Sequence, residues 1–161
     1  MTNLEFCIAR RKGEQPVSVR VLKAIPRERL EYRPDPKART ALELAWVLAT
    51  EEAALVSLIR DGVLDWKESK PPEDIDNIVA AFEHSSAEVN ERLEHLDEAA
   101  WNARVRLLMG EGGAWEDTLG QMVWGFLFDG IHHRGQLSTY LRPMGGKVPS
   151  IYGPSADDPG V

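Results

Sequence analysis

The stretch from Thr118 to Arg142, TLGQMVWGFLFDGIHHRGQLSTYLR, constrains this chain more than any other. It opens on a capping box, Thr118-Leu-Gly-Gln121, whose side chains suit the backbone N–H groups left free in a first helical turn, and Pro143 stops it. Leu119, Met122, Val123, Phe126, Leu137 and Tyr140 recur at three- and four-residue spacing, the stripe of a helix packed on a core. Asp129 and His133 interrupt that stripe. Four residues apart on a helix, they stack on one face. An unpaired buried carboxylate is costly, so the seam requires a metal ion, a buried ion pair or a pocket open to water.

The same helix carries a second apolar face, Trp124, Leu127, Phe128 and Ile131. A helix apolar on two sides is either central or shared with another subunit, and a four-helix bundle has no central helix. The pattern therefore predicts a homodimer with Trp124 and Phe128 at or near the interface.

Upstream, Pro16 suits a first helical turn, and Val17, Val21, Leu22 and Ile25 follow as a helical stripe that Pro26 ends. The N-terminal stretch from Met1 to Gln15 could extend this helix, but Gly13 and Pro16 punctuate it. The connector PRERLEYRPDPKAR is too rich in proline for a helix, and Arg27, Arg29 and Arg33 read as solvated charge. A second helix opens at the capping box Thr40-Ala-Leu-Glu43 and stops at Asp61-Gly62, with Leu44, Leu48, Leu55, Leu58 and Ile59 as its seam. At about 100° per residue, Glu51 lies roughly 40° from the centre of that stripe and Glu52 roughly 60° on the other side. Glu51 is the better placed to face inward; in the opposite reading both glutamates reach water.

Trp66 falls in a loop before Pro71-Pro72 and is expected to fold back on the body. A third helix starts near Glu73, with Ile75, Ile78, Val79, Phe82, Ser86, Val89, Leu93 and Leu96 inward and His84 and His95 outward. WNARVRLLMGEGGAWEDT has no clean period and reads as an irregular loop or short hairpin. Together these segments predict an all-α antiparallel four-helix bundle, a single domain over residues 1–161 with an extended tail from about residue 143.

A formal charge of −7 argues against nucleic-acid or acidic-membrane partners. No apolar run approaches a membrane span, and the start MTNLEFCIARRK lacks the apolar core of a signal peptide, so a cytoplasmic protein is expected. Cys7 is the single cysteine and reads as a packing residue. Bundles build sites from polar side chains on facing helices, and Glu51 is the candidate third ligand beside Asp129 and His133.

Three stretches, DGIHHRGQLSTYLRPMGGKVPSIYG, RTALELAWVLATEE and VLKAIPRERLEYRPDP, resemble the DinB-like family of bacterial proteins, over about Val17 to Asp158. The resemblance implies a four-helix bundle, often dimeric, that holds one divalent metal through three histidines, one on the second helix and two spaced H-x-x-x-H on the last. Members of known chemistry include thiol-dependent S-transferases using bacillithiol, mycothiol or glutathione, and related isomerases and hydrolases. His133, directly before Arg134-Gly135-Gln136, matches the last ligand. Asp129 stands where the pattern has His, and Val47, which cannot bind a metal, stands about where the first His belongs. Glu51 is one turn beyond Val47 on the same side, so a shifted set of Glu51, Asp129 and His133 is our own geometric reading.

His132 points away from the seam; Arg134 and Gln136 are expected to fix the helix against loop or tail, and Tyr152 to cover the pocket. The expected function is a divalent-metal-dependent enzyme using Zn, Ni, Fe or Mn, with a low-molecular-weight thiol as a further candidate cofactor. It would act on a small molecule by transfer or hydrolysis. The alternative, which Val47 favours, is a dimeric ligand-binding or stress-response protein with a degraded, non-catalytic metal site.

Overall fold

The computed structural model describes residues 1–160. Its elements run α1 (Asn3–Lys23), α2 (Ala41–Asp61), β1 (Val63–Asp65), α3 (Ile75–Glu94), α4 (Glu98–Trp101), β2 (Arg104–Leu108), β3 (Ala114–Thr118) and α5 (Leu119–Leu141). The expected all-α four-helix bundle is therefore incorrect: a three-stranded mixed sheet joins five helices. Strand β2 lies in the middle, parallel to β1 with Val63 beside Arg106, and antiparallel to β3 with Arg104 beside Thr118. Val105 and Leu107 of β2 are buried while Arg104 and Arg106 are exposed. That period-two pattern lasts only five residues, too few to stand out beside the glycines that follow. The parallel pairing brings together segments that α3 and α4 separate in sequence.

A second correction concerns α1, which starts at a Thr2–Glu5 capping box and runs through Pro16. Pro16 lies on the exposed face, where water can solvate the carbonyl its missing N–H leaves free. The sequence TNLE carries the same start signal as the box at Thr40, and the proline obscured it.

Helix α2 packs against α3 and α5, and α1 against the same two. Two apolar clusters result. One holds Val21, Leu22, Leu44, Leu48, Ile78, Phe82 and Leu137. The other holds Cys7, Leu55, Leu58, Val89, Leu93 and Met122, with Val105 and Leu107 brought in from the sheet. Between them every long helix contributes buried polar groups: Arg11, Glu14 and Ser18 from α1, Glu51 from α2, Ser86 from α3, and Arg134 from α5. This polar layer across the middle of the packed helices positions the site. The segment after α5 is pinned down: Asp157 accepts from Val148 N–H and Arg142, and Asp158 accepts from Ser150 N–H. No helix among the described residues is long and apolar enough to cross a membrane.

Candidate metal centre

The start of α2 is set by Thr40, whose hydroxyl accepts from Glu43 N–H while Glu43 accepts from Thr40 N–H, and its end by Gly62 at φ 70°. That register turns Glu51 inward and sends Glu52 to Arg11, which is itself buried and also donates to Asn90. On α5, Asp129 and His133 share a face, as their spacing requires. His133 Nε2 lies 3.5 Å from Glu51 Oε1 and 3.6 Å from Asp129 Oδ1. One ligand atom from each of the three falls within 4.8 Å of the others. Donors about 2.1 Å from a tetrahedral ion would stand roughly 3.4 Å apart. The arrangement is open by only about an ångström at its widest.

The three groups differ in environment. Glu51 is 5% exposed and His133 half-buried, whereas the Asp129 side chain is 54% exposed and leaves one flank of the site open. Burial pushes the Glu51 carboxyl up to about 9, and the adjacent Asp129 and then Glu52 push in the same direction. Glu51 Oε2 has no hydrogen-bond partner. His133 Nδ1 lies 2.9 Å from Gln136 Oε1. With the amide assigned this way Nδ1–H donates, and the Nε2 lone pair points at the two carboxylates. Two carboxyl groups and an imidazole nitrogen converging on one point are the donor set of a cation site.

Two other buried atoms lack partners among the described residues, Arg11 Nη1 and Ser86 Oγ. Both line, with Glu51, one cavity of about 30 Å³, room enough for a water molecule. The triad itself opens elsewhere, where two larger clefts meet. One, about 850 Å³, is walled by Trp46, Val47 and Thr50 of α2 and by the loop after β1. Trp46 Nε1–H donates to Ser69 in that loop, which holds the wall in place. The second cleft, about 570 Å³, is lined by Leu107, Met109, Trp115, Phe126 and Phe128. Glu51, Trp66 and Asp129 border both.

The geometry brings Glu51, Asp129 and His133 together and leaves the other histidines out. His84 and His95 are exposed in a separate groove, and His132 borders the aromatic cleft with its ring turned outward. Tyr152 does not cover the site, contrary to expectation. Its hydroxyl instead accepts from Arg134 at 2.6 Å and donates to Glu14 Oε2 at 2.9 Å, because Arg134 is buried against Glu14. Arg134 thus fixes α5 against α1 and the tail, a role its place in the sequence foretold. Cys7 is fully buried and burial raises its thiol to about 11, which suits a packing residue. The Arg11–Glu52 and Glu14–Arg134 pairs had no place in the sequence reading. Leu4, Cys7, Arg11, Glu14 and Ser18 follow one helical stripe, visible only when α1 is taken through Pro16.

The sequence model of the DinB family matches residues 8–159. The chain belongs to the DinB family. Its fold is that of a DinB-like protein from Bacillus cereus, with a TM-score of 0.73 at 20% identity over 92% of this chain and 97% of that one. A DinB-like protein from Bacillus subtilis gives 0.68 at 17% identity, over 88% and 93%. A mycothiol-dependent maleylpyruvate isomerase gives 0.55 at 15% identity; 91% of this chain matches 62% of that longer one. No curated protein sequence matches the chain. In this member of the family Val47 lies on the cleft wall, and the carboxylates of Glu51 and Asp129 stand around His133.

Proposed function

We propose that this DinB protein is a metal-dependent enzyme in which Glu51, Asp129 and His133 hold one divalent ion and a group passes between two small molecules bound in the adjoining clefts. The observation that carries the reading is the convergence of a buried carboxyl with an imidazole nitrogen and a second carboxylate, one donor atom from each within 4.8 Å of the others. Two carboxylates and an imidazole accept Mn, Fe, Ni or Zn. Such an ion would supply Lewis acidity to a bound oxygen or sulfur.

The chain's own residues do the rest. Gln136 orients the His133 ring through Nδ1, and the packing of α2 keeps Glu51 from water on every side but the site. Exposure of Asp129 leaves an approach from either cleft. Two clefts meeting at one centre suit transfer better than hydrolysis, which needs one substrate and water. The mycothiol-dependent neighbour makes a low-molecular-weight thiol the natural second reactant.

Elemental analysis of the untagged protein beside an Asp129→Ala/His133→Ala variant tests this directly. About one equivalent of metal in the first and at least a hundredfold weaker retention in the second is expected. Equal content in both overturns the reading. Absence from both would instead favour a non-catalytic ligand-binding protein, the reading that Val47 supports.

Homodimerisation belongs to the same proposal. Phe128 is 62% exposed and stacks on Trp124 at 5.5 Å, and Trp124 meets Phe6 at 5.8 Å, so an aromatic patch faces outward beside the second cleft. Sedimentation equilibrium at micromolar concentration should give twice the monomer mass, and Phe128→Asp the monomer. A monomeric wild type removes this part of the proposal.

A further inference from the structure

The larger cleft has a cationic mouth in a protein of formal charge −7. Arg33, Lys37 and Arg39 reach it from the connector before α2, and Lys67 and Lys70 from the loop after β1. Facing them are Glu43 and Glu68. Glu43 is occupied by the helix cap, its carboxyl held below the usual range chiefly by the Thr40 backbone bond. Glu68 lies 3.9 Å from Arg39, and Lys67 is 3.1 Å from Asp65. Arg33, Lys37 and Lys70 form no ion pair among the described residues. Deeper in, Glu51 and Asp129 bring the carboxylates lining the cleft to four against five cations, so the mouth stays positive with or without a bound divalent ion. Two segments far apart in sequence concentrate this charge on one cleft, and a mouth of one sign draws ligands of the other.

We infer that the cleft selects a small organic anion, its carboxylate or phosphate held by Arg33, Lys37 and Lys70 and its reacting end carried inward to Glu51, Asp129 and His133. The inward part rests on the metal-site reading above; recognition at the mouth does not. Trp46 and Val47 wall the path between the two and suit a hydrocarbon body. Arginine and lysine at the rim suit both oxyanions, the guanidinium through paired N–H donors and the ammonium as a point charge.

Calorimetric titration with phenylsuccinate, phenyl phosphate and the neutral phenylsuccinamide tests the inference at low ionic strength, where exposed cations act most strongly. At least one anion should bind five-fold or more tightly than the diamide, and the tighter of the two tells carboxylate from phosphate. An Arg33→Ala/Lys37→Ala/Lys70→Ala variant should lose the preference; all three residues are exposed, and its melting curve checks that it folds. The Asp129→Ala/His133→Ala variant should keep it. Equal affinity for anions and diamide overturns the inference, as does a preference that survives the triple variant or disappears with the metal ligands. Metal content measured on the same samples reports separately on the earlier proposal.

Discussion

Glu14 and Glu51 line the same small cavity and are equally buried, each 5% exposed, yet they titrate in opposite directions. Burial alone raises Glu14, but hydrogen bonds from Arg134 and Tyr152, with the charge of Arg134, outweigh it and hold the carboxyl below its usual range. For Glu51 only the charge of Arg39 opposes burial, as the smallest influence, and its nearest charged neighbour is another carboxylate. Arg134 comes from the same helix as Asp129 and His133, one residue further on. One turn of α5 therefore supplies a cation to one glutamate and only an imidazole to the other. Equal exposure to water with unequal surroundings, denser around Glu51 and cationic around Glu14, separates a carboxylate suited to a ligand from a structural one.

The largest effect should come from making Glu14 resemble Glu51. Arg134→Met keeps the volume and removes the guanidinium, leaving Glu14 with the Tyr152 hydroxyl at 2.9 Å and with Arg10 at 3.0 Å on its exposed flank. Breaking a buried pair from one side costs about 3–5 kcal/mol, which urea unfolding would measure. Adding Glu14→Gln should recover most of that loss, since no unpaired charge is then buried. A loss under about 1 kcal/mol would mean that Arg10 and Tyr152 together satisfy Glu14, and the contrast would lose its basis.

Much of this contrast is legible in the residues. The capping box at Thr40 and the Thr118 hydroxyl, which accepts from Gln121 N–H, set the registers of α2 and α5, and helical spacing then turns Glu51, Asp129 and His133 toward one another. Periodicity could not supply the sheet, because three- and five-residue strands carry too little pattern and β1 meets β2 only through long-range pairing. Pro16 hid the N-terminal half of α1 and with it Arg11 and Glu14, so both buried ion pairs were missed. Arg33 reads as solvated charge on its own segment, and only the folded connector shows it beside Lys70. Tyr152, expected over the pocket, lies elsewhere for the same reason: its partner Glu14 is 138 residues away.

The smaller effect runs in the opposite direction. Glu51→Gln removes a carboxyl that the metal-free protein can bury only in its protonated form, so the variant should be the more stable of the two. The folded carboxyl titrates near 9 and the unfolded one near its ordinary value, so between those limits the folded state holds a proton that the unfolded state has released. Stability of the metal-free wild type should fall as pH rises through that window, relative to Gln, and the gap should vanish below about pH 4.5. At pH 7 it should reach about 1–3 kcal/mol, measurable as a difference in unfolding midpoint across a pH series. Saturating metal should reverse the order, because an ion bound by the native state stabilises the wild type and finds one ligand fewer in the variant. A gap that stays constant with pH would show that Glu51 is compensated as fully as Glu14, leaving the cavity with two structural carboxylates and no preference for a cation.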